Sequence, residues 1–178
     1  MIKQAAYKEN EIPQELDLEQ TKKRVIDWFA RRNYSELELT EKLTQVTNLT
    51  IAEEILEWCH QLKLIMAPEA YSEMVVEKLN RQKKGIERIN QQLMKKGLAS
   101  ITADQDSELE KSIAVLNKKI HQILKSKPWS SLQYQEKQNT KAKVFRFLAT
   151  RGFTSEIITS SFDQWIKNNK DTDYDECD

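Results

Sequence analysis

Residues 141–162, KAKVFRFLATRGFTSEIITSSF, repeat residues 22–43, KKRVIDWFARRNYSELELTEKL, at a constant offset of 119 positions. In that register Val144 falls on Val25, Phe147 on Trp28, Ala149 on Ala30, Arg151 on Arg32, Phe153 on Tyr34, Thr154 on Ser35, Ile158 on Leu39 and Phe162 on Leu43. A more degenerate copy lies at an offset of 50 from the first, with Val75 on Val25, Leu79 on Phe29, Ile89 on Leu39 and Leu93 on Leu43. A unit that recurs roughly every 50 to 70 residues, with helical periodicity in each copy, folds as stacked helical modules that share apolar surface. The expected fold is all-α: three tandem three-helix repeats forming an elongated, curved molecule.

Within the first copy, Val25, Trp28 and Phe29 mark one apolar face and Leu39, Leu43 and Val46 the next. Arg32-Asn33-Tyr34 breaks the pattern, and Ser35 with Glu38 three residues on reads as a capping box. Ile51, Ile55, Trp58, Cys59 and Leu62 follow as a third helix. In the second copy Tyr71, Val75 and Leu79, then Ile89 and Leu93, line two helices, with Gly85 between them and Gly97 closing the second. Leu109, Ile113, Leu116, Ile120 and Ile123 define a longer helix. The expected organisation is an N-terminal arm (1–20), a first repeat (21–65), a second (66–125), a polar connector (126–139), a third repeat (140–168) and an acidic tail (169–178), expected to be disordered. Three glycines and three prolines in 178 residues leave helix as the favoured state.

The net charge is zero, but the charges are segregated. Residues 111–151 hold ten Lys or Arg and one Glu, a net +9, and residues 72–97 are +4. The acidic complement lies in 98–110, at −4, and 152–178, at −5. A basic segment flanked by acidic ones sets up a local positive field on a neutral molecule, which points to a polyanionic partner. Two cysteines 118 residues apart make no disulfide framework, and no apolar run is long enough to span a bilayer. A soluble, cytoplasmic protein is expected.

Catalysis is not expected. The two histidines, His60 and His121, and the two cysteines, Cys59 and Cys177, form no zinc-ligand spacing. Neighbours on a helix diverge by about 100°, so Cys59 and His60 make no nucleophile–base pair. Three isolated glycines make no phosphate-binding loop. No catalytic residue, cofactor or metal is assigned.

Three copies in this order, with Ala30-Arg31-Arg32-Asn33-Tyr34-Ser35-Glu36-Leu37-Glu38-Leu39 in the first and Phe147-Leu148-Ala149-Thr150-Arg151-Gly152-Phe153 in the third, resemble the RecX family, regulators of the bacterial RecA recombinase. Ile55-Leu56-Glu57-Trp58-Cys59-His60 resembles the third helix of the family's first copy. The resemblance spans about residues 20–166. The chain departs from it at Lys63-Leu64-Ile65-Met66-Ala67-Pro68, where the family usually has a Gly-Leu-Ile-Asp-Asp-like start to its second copy. The resemblance implies a non-enzymatic, monomeric, cytoplasmic modulator that binds RecA and the RecA–ssDNA filament. It implies inhibition of filament extension and of ATPase, recombinase and coprotease activities, with consequences for DNA repair and the SOS response.

The bases expected to meet that partner are Arg81, Lys83, Lys84 and Arg88 around the second-copy turn, and Lys141, Lys143, Arg146 and Arg151 around the third. About five such contacts to phosphate or acidic groups make binding salt-sensitive. Lys143 and Arg146, three apart, share a helix face, whereas Lys141 and Lys143 do not. Arg32 and Arg151 occupy one repeat position, and at least one is expected to cap the carbonyls of its preceding helix. Tyr34, Phe153, Trp28, Trp58 and Trp165 read as core. Two alternatives stay open: a free-standing nucleic-acid-binding protein, for which only Asn90-Gln91-Gln92 offers base-reading side chains, and a helical protein scaffold. Weak direct DNA contact is compatible with the first reading too.

Overall fold

The computed structural model describes residues 16–124 and 127–170; most of the expected N-terminal arm, position 126 of the expected connector and the acidic tail beyond Lys170 lie outside the described residues. Among the described residues all regular structure is helical. The described residues divide into two compact units, the first ending at Pro68 and the second beginning at Glu69.

The first unit contains α1 (Leu18–Arg31), α2 (Glu36–Leu43) and α3 (Leu49–Gln61). Each begins at a side-chain cap that satisfies amide groups the helix itself leaves free. Asp17 accepts from the Gln20 amide at 2.8 Å, and Asn48 from the Ile51 amide at 3.0 Å. Ser35 and Glu38 form the expected capping box, with the Glu38 amide donating to Ser35 Oγ at 3.2 Å and the Ser35 amide to Glu38 Oε2 at 3.1 Å. Val25, Trp28, Tyr34, Leu39, Leu43, Ala52, Ile55 and Cys59 form the core, with Trp58 half-buried against it. A fully buried side chain such as Leu39 contributes about 1.5–3 kcal/mol. Lys63 ends the α3 region in the left-handed conformation, φ 54°.

The second unit contains α4 (Pro68–Arg81) from Glu69 onward, α5 (Ile86–Met94), α6 (Gln105–Leu124), α7 (Tyr134–Arg151) and α8 (Ser155–Lys170). Pro68 opens α4, where its missing amide donor costs nothing. Lys96 Nζ lies 3.2 Å from the Tyr71 hydroxyl, bringing the end of α5 back to the start of α4 as a helical hairpin. The main core joins Val115, Leu116, Ile120 and Leu124 of α6 to Val144 and Leu148 of α7 and to Ile157, Ile158, Phe162 and Trp165 of α8, with Leu132 and Phe153.

The repeat register holds at the level of burial. Val25, Val75 and Val144 are all buried, as are Leu39, Ile89 and Ile158, and Leu43, Leu93 and Phe162. Two features differ from the sequence reading. Helix α7 starts at Tyr134, inside the segment read as a polar connector, where the Gln133 amide donates to Glu136 Oε2 at 3.1 Å. Helix α6 buries Glu108, Ser112, Val115, Leu116, Ile120 and Leu124 rather than Ile113 and Ile123, which are half-buried. Its face has turned because its first half meets the α4–α5 turn and its second half meets α7 and α8.

Candidate functional site

The middle copy lacks the capping hydroxyl of its relatives. Ser35 and Thr154 hold that position in the first and third copies, and Gly85 holds it in the second, with no side-chain cap. Its free amides are satisfied by the third copy instead. The Gly85 amide donates to the Arg151 carbonyl and the Glu87 amide to the Gly152 carbonyl, both at 3.0 Å. The positive end of α5 thus meets the negative end of α7. The approach requires both glycines. A Cβ on Gly85 would lie 2.3 Å from the Gly152 oxygen, and one on Gly152 would lie 2.3 Å from Arg88 Cβ. Gly152 also has φ +89°, which glycine adopts without strain.

A buried ion pair fixes the same turn to α6. Glu108, 3% exposed, accepts from the Ile86 amide at 2.9 Å and pairs with Lys111. Lys111 Nζ also donates to Asn80 Oδ1 at 2.9 Å and to the Lys84 carbonyl at 3.3 Å. Arg151 Nη1 donates to the Gln82 carbonyl at 3.2 Å. The two turns and the start of α6 are one hydrogen-bonded junction.

This junction brings together bases that are far apart in sequence. Arg88 sits against Gly152, and Arg151 reaches back over the α4–α5 turn. Lys143 and Arg146 are exposed on α7, one to two turns before Arg151, and pair with no carboxylate among the described residues. Lys83 is exposed at the turn with φ 56°, and Lys84 is half-buried beside it. Arg81 is also exposed but bound to Glu77 at 2.5 Å. Lys141 lies about 160° around the helix from Lys143, over the Phe145 ring at 5.4 Å.

Sequence reasoning missed Lys119 of α6, whose Nζ stands 5.8 Å from the Phe147 ring, with the Arg151 guanidinium 5.2 Å from the same ring. Phe147 therefore carries a cation from each of two helices. The signal was its half-buried place in the repeat, where Trp28 is covered by Lys42 at 4.3 Å.

Neither arginine of the shared repeat position caps its own helix, correcting that expectation. Arg151 serves the carbonyl that follows α4, because the junction places it there. Arg32 pairs with Glu38 at 2.9 Å and covers the Tyr34 ring at 3.9 Å. Burial pushes the Tyr34 phenol up, but hydrogen bonds from Arg32 and Lys42 and their charges outweigh it and hold it below its usual value. In the first unit these bases are occupied internally. Asn90 is occupied as well: its side-chain amide exchanges two hydrogen bonds of 2.9 Å with the backbone of Ile101, so it is not presented for base reading. Tyr34, Phe153, Trp28 and Trp165 are core, as expected.

No family model and no curated protein sequence matches the chain. Solved structures do. The crystal structure of RecX from Lactobacillus salivarius superposes with a TM-score of 0.62 at 21% identity, covering 83% of this chain and 95% of that one. A crystal structure of regulatory protein RecX superposes with a TM-score of 0.58 at 20% identity, covering 84% and 80%. The all-helical fold of this chain is the RecX fold.

Proposed function

We propose that this chain is a RecX-type regulator of the RecA recombinase, acting by binding rather than by catalysis. It docks on the RecA–ssDNA filament and opposes its extension, lowering ATPase, recombinase and coprotease activities. The observation that supports the reading is the junction of the second- and third-copy turns, which brings Arg88 and Arg151 together beside Lys83 and Lys84, with Lys143 and Arg146 exposed farther back on α7 of the same unit. A filament of protein on DNA presents phosphate and carboxylate together along a repeating groove. A neutral chain with a basic face suits that composite surface better than it suits bare DNA, for which a basic domain is the usual solution. The occupied amide of Asn90 also speaks against sequence reading.

The test is RecA ATPase on single-stranded DNA with the chain added below one copy per recombinase subunit. Progressive loss of turnover with the chain, and its absence with Lys143→Glu/Arg146→Glu that retains the helical spectrum and melting temperature, supports the reading. No loss, together with salt-sensitive binding to bare DNA, would replace it with a free-standing DNA-binding function.

A further inference from the structure

The α4–α5 hairpin shares no apolar core with the three helices that follow it. Tyr71, Val75, Ile89 and Leu93 are buried, but none belongs to the core built by α6, α7 and α8. No partly buried apolar side chain of α4 or α5 packs against that core either. What ties the hairpin to the α6–α8 body is hydrogen bonding at its tip. The Gly85 and Glu87 amides reach the Arg151 and Gly152 carbonyls, and the Ile86 amide reaches Glu108. Lys111 reaches Asn80 and the Lys84 carbonyl, and Arg151 reaches the Gln82 carbonyl.

Behind the tip the seam is open. A cavity of about 420 Å³ lies between Asn80, Ile86 and Ile89 of the hairpin and Ile101, Ser107 and Lys111 across from them. Side chains lining such a space lack the dispersion contacts that a packed seam would supply. Helices of 14 and 9 residues are also too short to persist in water without tertiary support. Segments with few shared apolar contacts open at lower free energy than the core beside them.

We infer that the α4–α5 hairpin detaches and unfolds independently of the α6–α8 body, with the hydrogen bonds at its tip as the latch. The bases of the partner reading are divided by the same seam. Lys83, Lys84 and Arg88 lie on the hairpin, and Lys143, Arg146 and Arg151 lie on the body. Both sets are held in one arrangement only while the latch is closed, so opening regulates the surface offered to the partner. That consequence rests on the partner reading, whereas the opening itself does not.

The test is hydrogen exchange of the full chain without RecA, read amide by amide by NMR at several urea concentrations below the unfolding midpoint. Independent opening predicts that the most protected amides of α4 and α5 exchange at least tenfold faster than those of α6–α8, with a shallower urea dependence. Ile120→Val trims the α6–α8 core alone. It should speed the α6–α8 amides about fivefold and leave those of α4 and α5 within about twofold of the parent. Gly85→Ala, which strains the latch, should speed the α4 and α5 amides at least tenfold. If α4 and α5 exchange at the rate and urea dependence of α6–α8, and Ile120→Val speeds both sets alike, the unit is one cooperative body and the inference is overturned. Hairpin exchange that Gly85→Ala leaves unchanged would overturn the latch. Should Gly85→Ala fail to fold, the parent and Ile120→Val still decide.

Discussion

Gly85 and Gly152 meet backbone to backbone, close enough that a Cβ added to Gly85 would lie 2.3 Å from the Gly152 oxygen. Gly85→Ala must separate the two turns, losing hydrogen bonds of about 0.5–1.5 kcal/mol each and adding an overpacking cost of about 1–3 kcal/mol. A loss of roughly 2–4 kcal/mol is expected in urea unfolding of the full chain. Gly152→Ala should match or exceed it, since its positive φ adds about 1–2 kcal/mol.

Glu108 is buried and held by Lys111 and by the Ile86 amide. Lys111→Met leaves that carboxylate without its cation and is expected to cost about 3–5 kcal/mol. Adding Glu108→Gln should recover a large part, because the uncompensated buried charge is then gone. Equilibrium denaturation of the two single variants and the double variant reads this coupling directly.

Burial pushes the Cys59 thiol up from 9.0 to about 11. The folded state therefore resists ionisation that the unfolded state undergoes. Full stability holds below pH 9, and stability falls as the unfolded thiol ionises between about pH 9 and pH 11, by roughly 2–3 kcal/mol in total. Thermal melts across that range should show the decline. Cys59→Ala should be less stable at neutral pH but lack this component of the alkaline loss.

Lys63 closes the α3 region with φ 54°, a conformation that costs a side chain bearing Cβ about 1–2 kcal/mol. Lys63→Gly removes that strain at the expense of some added freedom in the unfolded chain. A net gain of about 0.5–1 kcal/mol in chemical denaturation is expected.

Local chemistry makes most of the fold legible in the sequence. The offset of 119 residues pairs positions that share burial, and the Ser35–Glu38 spacing alone locates the start of α2. The start of α7 is hidden because residues 134–139 have almost no apolar members and its cap is Gln133, not a Ser, Thr, Asp or Asn. Glu108 reads as one of a solvated acidic run, since burial of a carboxylate depends on a cation and an amide brought from other elements. The basic face is legible in its residue types but not in its assembly. The Gly85–Gly152 contact that joins its halves spans 67 positions, and nothing local in either glycine announces the other.

The central claim is that partner binding resides in the bases joined at that junction. The direct measurement is the affinity of the full chain for RecA–ssDNA filaments, titrated at several salt concentrations. Arg88→Glu/Arg146→Glu is compared with Lys23→Glu/Arg24→Glu, which reverses two exposed bases of the first unit. The account predicts a loss of at least tenfold, about 1.4 kcal/mol, and a shallower salt dependence for the junction variant, with the first-unit variant staying within about twofold of the parent. Equal loss in both variants, or none in the junction variant, would contradict it.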